Sequence, residues 1–263
     1  MLELYHGPIS TASERVRFVL AEKNLPWTSH PVDLMAGAQH EPAFRALNPK
    51  RQVPVLVHEG RALAESSVIA EYLDDVFPEN PLRPASARDR ARGRLWDKTI
   101  DEVHPVTGVL TYAIAFRPML IQKPKAALDA LVAQIADPVK RAMRQSVLDH
   151  GVEAPEIGPA LRIYVGLLNE MEAALAHSPY LAGPSFSSAD TAVAPFLHRI
   201  DHLGMGALIA ARPRAAEWLV RVRARPAFAK AIDDVIPRAA VDNFRTRGLE
   251  AWPVVKTTLG LST

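Results

Sequence analysis

Three prolines in the eight residues Phe77-Pro78-Glu79-Asn80-Pro81-Leu82-Arg83-Pro84 exclude a helix or strand across that stretch and divide the chain into two dissimilar parts. Before the break, short apolar runs alternate with helical periodicity. Leu2–Tyr5 reads as a strand, and the polar loop His6–Ser10 follows it. Thr11 and Glu14 form a T-x-x-E capping box ahead of Val16, Val19 and Leu20 at helical spacing. Trp27–Val32 is a second strand, and Gln39–Leu47 holds a short helix that ends at Asn48-Pro49. Val53-Pro54-Val55-Leu56-Val57 is a third strand, which Glu59-Gly60 turns into a fourth, Arg61–Leu63. A helix from Ser66 to Phe77, with Ile69, Tyr72, Leu73 and Val76 on one face, completes the order βαβαββα. One crossover and one hairpin suit a mixed four-stranded sheet with helices on its faces.

After the break no strand pattern occurs. Ser86 to about Phe116 reads as one long helix, with a bend expected where Val103-His104 precedes Pro105. Leu161, Val165, Leu168, Met171 and Leu175 line a second helix; Val193, Phe196, Leu197 and Ile200 a third; Trp218, Leu219 and Val222 a fourth. Between the first two lies a charged, proline-punctuated excursion, Arg117–Pro159, with one helical stretch around Ala126–Ile135. Its length marks it as a lid, an interface element or a mobile loop. The class is α+β, with domains expected at 1–80 and 85–263.

Composition narrows the function. Of 263 residues 48% are hydrophobic and 23% charged, with a formal net charge of +2, the proportions of a globular protein with a large core. The basic runs Arg88–Arg94 and Arg221–Arg225 alternate with apolar residues at helical spacing and read as solvated faces, so nucleic acid is not expected as a partner. Cysteine is absent, which leaves no disulfide, no thiolate metal site and no protein thiol nucleophile. Met1-Leu2-Glu3-Leu4-Tyr5 lacks a basic flank and a long apolar run, and no segment approaches the ~18 apolar residues of a membrane span. No membrane partner and a cytoplasmic location are the expectation.

Two runs carry a resemblance: Ala46-Leu47-Asn48-Pro49-Lys50-Arg51-Gln52-Val53-Pro54-Val55-Leu56, then Leu63-Ala64-Glu65-Ser66-Ser67-Val68-Ile69-Ala70-Glu71-Tyr72-Leu73. Their N-P-x-x-x-V-P-x-L and E-S-x-x-I-x-x-Y-L patterns resemble the tripeptide site of the glutathione transferase superfamily. Phe186-Ser187-Ser188-Ala189-Asp190-Thr191-Ala192 resembles the S-x-A-D helix start of that family's second domain. The resemblance spans nearly the whole chain. It implies a thioredoxin-like N-terminal domain, glutathione as co-substrate, an all-helical domain carrying a hydrophobic-substrate site, and a homodimer formed through the Ser66–Phe77 helix and the long helix after the break.

It also implies roles for individual residues. Only about one X-Pro bond in twenty is cis, but the family pattern implies cis Pro54, with the Val53 backbone turned outward to pair with the cysteinyl backbone of glutathione. Ser66 is expected as an N-cap, with the helix mouth taking the γ-glutamyl carboxylate. Glu65 would pair with the ligand ammonium, while Gln52 and His40 hold the remainder, His40 at the glycyl carboxylate. A thiol with pKa near 8.5 is only about 3% ionised at neutral pH. Lowering it by two units takes about 2.7 kcal/mol, the size of one hydroxyl hydrogen bond plus a helix N-terminus. Aligning Glu14-Arg15-x-Arg17 with the family places Ser10 at the activating position; aligning from Glu22-Lys23-Asn24-Leu25 places Ser13 there. Both serve equally as plain helix caps, with Thr11 as the N-cap. Tyr5 lies inside the strand and is excluded.

Asp137-Pro138-Val139-Lys140-Arg141 through Gly151, Ala154-Pro155-Glu156 and Glu71-Tyr72-Leu73-Asp74-Asp75-Val76-Phe77-Pro78-Glu79 resemble the bacterial lignin β-aryl-etherase branch and its fungal-like relatives. This implies a small aromatic electrophile, attacked at a carbon bearing an aryloxy group. Ile9 in the loop and Trp96, His104, Tyr112 and Phe116 on the long helix are the candidate pocket residues, although such spacing equally suits core packing. His198 and His202 stand four apart, as zinc ligands can, but lack a third ligand and read as surface or interface residues; no metal is implied. Ser187 with Asp190 reads as a helix capping box. The rival functions are a non-catalytic binding or scaffold protein, against which Gln52, Glu65 and Ser66 weigh, and a thiol-exchange enzyme, against which the absence of cysteine weighs.

Overall fold

A computed structural model describes residues 1–261; the last two residues of the expected second domain lie outside it. The first part of the chain is β1 (Leu2–His6), α1 (Thr11–Glu22), β2 (Thr28–Pro31), a 3₁₀ turn (Ala38–His40), α2 (Pro42–Leu47), β3 (Val55–His58), β4 (Arg61–Ala64) and α3 (Ser66–Val76). The strands order β2-β1-β3-β4, with β1–β2 parallel and the other pairs antiparallel. Successive β1 side chains point to opposite faces. Leu2 and Leu4 join Val16, Val19, Leu20, Leu56, Ile69 and Leu73 beneath α1 and α3, whereas Tyr5 packs with Val32, Phe44 and Val55 on the other face. Together these elements are the thioredoxin-like fold expected from the pattern.

The proline-rich break is irregular, as expected, yet firmly held. Lys23 Nζ, on a buried side chain, donates to Asp74 Oδ1 at 2.7 Å and to the carbonyls of Glu79 and Asn80. Asp74 in turn accepts the backbone N–H groups of Leu82 and Arg83 at 2.9 and 2.7 Å.

Everything after the break is helical: α4 (Ala87–Thr111), α5 (Arg117–Leu120), α6 (Lys125–Ala133), α7 (Pro138–His150), α8 (Ile157–Ala174), α9 (Ser188–Ile200), α10 (Gly206–Ala210), α11 (Pro213–Arg223), α12 (Pro226–Phe228) and α13 (Arg238–Thr258). π-helical turns lie at Tyr112–Phe116, Asp201–Met205 and Ala229–Asp233. α4 continues through Pro105, and its irregularity falls later, at the π turn. The excursion expected to hold one helix holds α5, α6 and α7. Asp137, accepting from the Val139 and Lys140 N–H groups, caps the helix that the sequence pattern missed. Leu120, Val132 and Leu148 give the excursion its own apolar cluster.

By contact the chain forms two compact units. One comprises Met1–Ile100, Ala173–Pro195 and Ala216–Pro237; the other comprises Asp101–Glu172, Phe196–Ala215 and the chain from Arg238. In the first, the Ser187–Asp190 capping box forms as read: Asp190 accepts from Ser187 N and Oγ, and also from Leu181 N and Trp218 Nε1. Burial pushes its carboxyl up to about 6 against the opposing effect of these donors. In the second, His198 and His202 are 5% and 4% exposed, which corrects the surface half of their surface-or-interface reading. Their rings lie 4.0 Å apart. Also in the second, Gly204 and Gly248 let the π turn and α13 touch backbone to backbone: a Cβ on Gly248 would stand 2.2 Å from Leu203 C.

Candidate functional site

Sheet register brings three of the predicted segments to one end. Tyr5 pairs with Val55, and Val55 with Ala64. The exit of β1 into the His6–Ser10 loop, the entry to β3 at Pro54 and the exit of β4 at Glu65 therefore lie side by side. The Val53–Pro54 bond is cis.

In the β1–α1 loop the chain turns at Gly7, whose carbonyl accepts Ser10 N at 3.1 Å. Ser10, not Thr11, is the N-cap of α1: its backbone is extended, and its hydroxyl accepts Ser13 N at 3.3 Å. The Thr11–Glu14 box is thereby displaced one residue, because Thr11 already has its place in the helix. Ser13 is 0% exposed and its Oγ accepts Gly7 N at 3.2 Å, whereas Ser10 remains partly exposed.

α3 departs from expectation at its mouth. Glu65, at φ 72°, is the N-cap and makes no side-chain capping bond, so Ser66 is the first helical residue rather than the cap. The Glu65 carboxylate instead meets Lys50 Nζ at 2.8 Å across an exposed pair, which raises the lysine above its ordinary value. The leading N–H groups of α3 thus keep the positive end of the helix without a cap from Glu65. The connecting loop is set by Asn48, whose amide donates to Gln52 O at 2.8 Å and whose Oδ1 accepts Lys50 N. Arg51 sits at φ 57°, a left-handed conformation that costs a side-chain-bearing residue on the order of 1–3 kcal/mol. Gln52 is exposed. His40 is lowered by burial and by the charges of Arg51 and Arg45, and its Nδ1, with Gln39 Oε1, is buried without a hydrogen-bond partner among the described residues. The His40 ring nitrogen, with the Arg51 and Arg45 charges near it, is suited to an anionic ligand end. The sequence reading passed over Lys50, Arg51 and Asn48 as roles, although two adjacent cations between N-P and V-P were the available signal.

The aromatic candidates fall in different settings. In the first unit, Ile9 is partly exposed, and Trp96 is buried with its Nε1 donating to Leu181 O at 3.1 Å. In the second, exposed His104 meets Phe196 edge-on. Tyr112 and Phe116 pack on the Leu120, Val132 and Leu148 cluster, with the Arg144 guanidinium 3.5 Å over the Tyr112 ring.

Known proteins carry the same architecture. Residues 9–76 match the family described as "Glutathione S-transferase, N-terminal domain", and residues 125–221 match "Glutathione S-transferase, C-terminal domain". "Glutathione S-transferase 3" of Zea mays is 34% identical over 236 residues, 88% of this chain and 93% of that protein. This chain belongs to the glutathione transferase family. Among solved structures, β-etherase LigF from Sphingobium sp. strain SYK-6 superposes with a TM-score of 0.79 at 28% identity, covering 89% of this chain and 99% of that one. Glutathione transferase F7 from Populus trichocarpa superposes at 0.67, with 27% identity over 90% of this chain and 100% of that one. Glutathione is the co-substrate of the family. No helix among the described residues is long and apolar enough to cross a membrane, and no group of three potential metal ligands occurs among them.

Proposed function

We propose that this transferase uses glutathione to displace an aryloxy group from, or to add to, a small apolar aromatic electrophile, with β-aryl ethers as the first class to test. Residues 1–80 are the glutathione-binding domain in this reading, and 85–263 the helical domain that carries the hydrophobic-substrate residues Trp96, His104, Tyr112 and Phe116, with Ile9 contributed by the β1–α1 loop. The observation that carries the proposal is the uncapped mouth of α3 beside Pro54 and the partly exposed Ser10 hydroxyl. The γ-glutamyl carboxylate sits on the Ser66 end of α3 and its ammonium on Glu65. The cysteinyl backbone lies along Val53, and the glycyl carboxylate meets His40 and Gln52, in the field of Arg51. Ser10 then donates to the sulfur, favouring its anion at the positive end of α1. The thiolate attacks the carbon bearing the aryloxy group. A C–S bond forms as the C–O bond breaks, and the electron pair leaves on the phenolate, which takes a proton from water. The likeness to LigF supports the ether as substrate. A homodimer through α3 and α4 fits the exposed Val68 and Leu95 on those helices.

The test is the ultraviolet signal of bound thiolate, followed by turnover on a β-aryl ether and on model electrophiles. S10A should abolish the signal at neutral pH and lower kcat/KM on the order of 10²-fold, while S13A retains it. Loss in S13A alone would transfer the role to Ser13, and loss in neither would sink the hydroxyl mechanism. Glutathione binding without turnover on any of these substrates would make the chain a binding protein.

A further inference from the structure

We propose that Arg17 is a positioning residue for the reacting loop, its guanidinium clasping the backbone that carries Ser10. The inference rests on the Ser10 reading above. Arg17 is 1% exposed, set in α1 between the fully buried Val16 and Phe18. Its donors fan out along the loop: Nη1 to Gly7 O at 3.2 Å, and Nη2 to Pro8 O at 3.0 Å. Nε anchors the fan on Ala231 O at 2.7 Å, in the π turn Ala229–Asp233. Nη1 also lies 3.2 Å from His6 Nδ1. Arginine can only donate, so Nδ1 must accept. That fixes the His6 proton on Nε2, which donates to Ser29 Oγ at 2.8 Å.

The neighbouring Arg15 serves a different element. Its guanidinium meets a carboxylate, Asp97, at 2.5 Å in a partly buried ion pair between α1 and α4. Arg17 donates to three carbonyls and to an imidazole, and two of those carbonyls, Gly7 and Pro8, belong to the loop that carries Ser10. The carbonyl of Gly7 receives both Arg17 and Ser10 N, and the N–H of Gly7 is held by Ser13 Oγ. The loop backbone is therefore held at Gly7 and Pro8, and this sets where the Ser10 Cα stands. A buried apolar residue would fill this site at a lower desolvation cost, but it would leave the Gly7 and Pro8 carbonyls without these donors. The cation also stands near the α1 mouth, where it adds to the helix's attraction for an anionic sulfur. A lysine has one point of donation and cannot reach Ala231 O, Gly7 O and Pro8 O together.

R17K and R17Q test the proposal beside S10A and the wild type. In variants with cooperative unfolding, S-methylglutathione should bind within about twofold of wild type, because its backbone and carboxylate contacts lie elsewhere. The bound-thiolate titration should move about one pH unit alkaline, roughly tenfold less thiolate at pH below the midpoint. The rate of the chemical step should fall 10- to 100-fold, as expected when a reacting group is displaced by a fraction of an ångström. A merely structural role predicts a lower melting temperature with an unmoved titration, and that result overturns the proposal. S10A that keeps the thiolate signal overturns the Ser10 reading and this one with it; S10A that loses the signal while both Arg17 variants titrate as wild type overturns this one alone. Should neither variant fold, amide exchange in the wild type decides. Protection of Ser10 N–H equal to that of β1 supports the clasp, and exchange at an open-loop rate refutes it.

Discussion

Ser10 and Ser13 sit three residues apart at the mouth of α1, and each hydroxyl has one backbone N–H to serve. Their surroundings differ more than their chemistry. Ser13 is sealed in, so S13A strands the buried Gly7 N–H and should cost about 1–3 kcal/mol in urea unfolding while glutathione activation survives. S10A removes only an N-cap from the stability side, about 1 kcal/mol. The two variants should thus rank oppositely in stability and in activity, and equal ranking in both would contradict the division of labour. Sequence left the pair open because each fits a cap. Only the burial of one side chain distinguishes them, and burial at a helix start depends on residues far along the chain.

At the level of elements, the motifs that name the site were legible because they are local. Asn48-Pro49 and Val53-Pro54 dictate a loop and a strand entry, and Glu65-Ser66 a helix start. In the first eighty residues strand and helix positions followed from apolar periodicity to within a few residues, whereas α13 was not anticipated at all. The α3 cap was misplaced because Glu65 adopts a positive φ that the sequence does not announce. The Arg117–Pro159 excursion was under-read as helix because Asp137-Pro138 looks like a breaker and acts as a cap followed by a first-turn proline. His198 and His202 looked exposed because polar residues usually are, and their burial is decided by tertiary packing. The crossing of α13 over the Asp201–Met205 turn was equally invisible, since it depends on Gly204 and Gly248 meeting from distant parts of the chain. With a Cβ placed 2.2 Å from Leu203 C, G248A should cost about 3 kcal/mol or more, read as a lowered urea midpoint. A neutral G248A would mean that the two backbones separate without penalty.

For the whole molecule, two buried groups set opposing pH dependences. Burial first, then the charges of Arg17 and His30, lower His6 from 6.5 to about 4. Between those values the unfolded chain binds more protons than the folded one, so this contribution is complete above pH 6.5 and is lost as pH falls towards 4. Asp190, raised from 3.8 to about 6, does the reverse: the folded state keeps its proton longer, and stability falls as pH rises through that window. These two contributions should therefore largely cancel between pH 4 and 6. D190N should remove one slope and leave stability climbing with pH, measured as urea midpoints across the range. A D190N profile with the same slope as wild type would refute the assignment. Neither group was marked by composition, since a net charge of +2 says nothing about which charges are buried.

The three-proline stretch invites the picture of a loose tether, yet Lys23 and Asp74 grip it from both sides through four backbone groups. It behaves as a strut anchored inside the first unit. Lengthening or shortening it by a residue would pull at a buried lysine before it altered any reach, so variation among such chains should accumulate beyond Arg83 rather than within the strut.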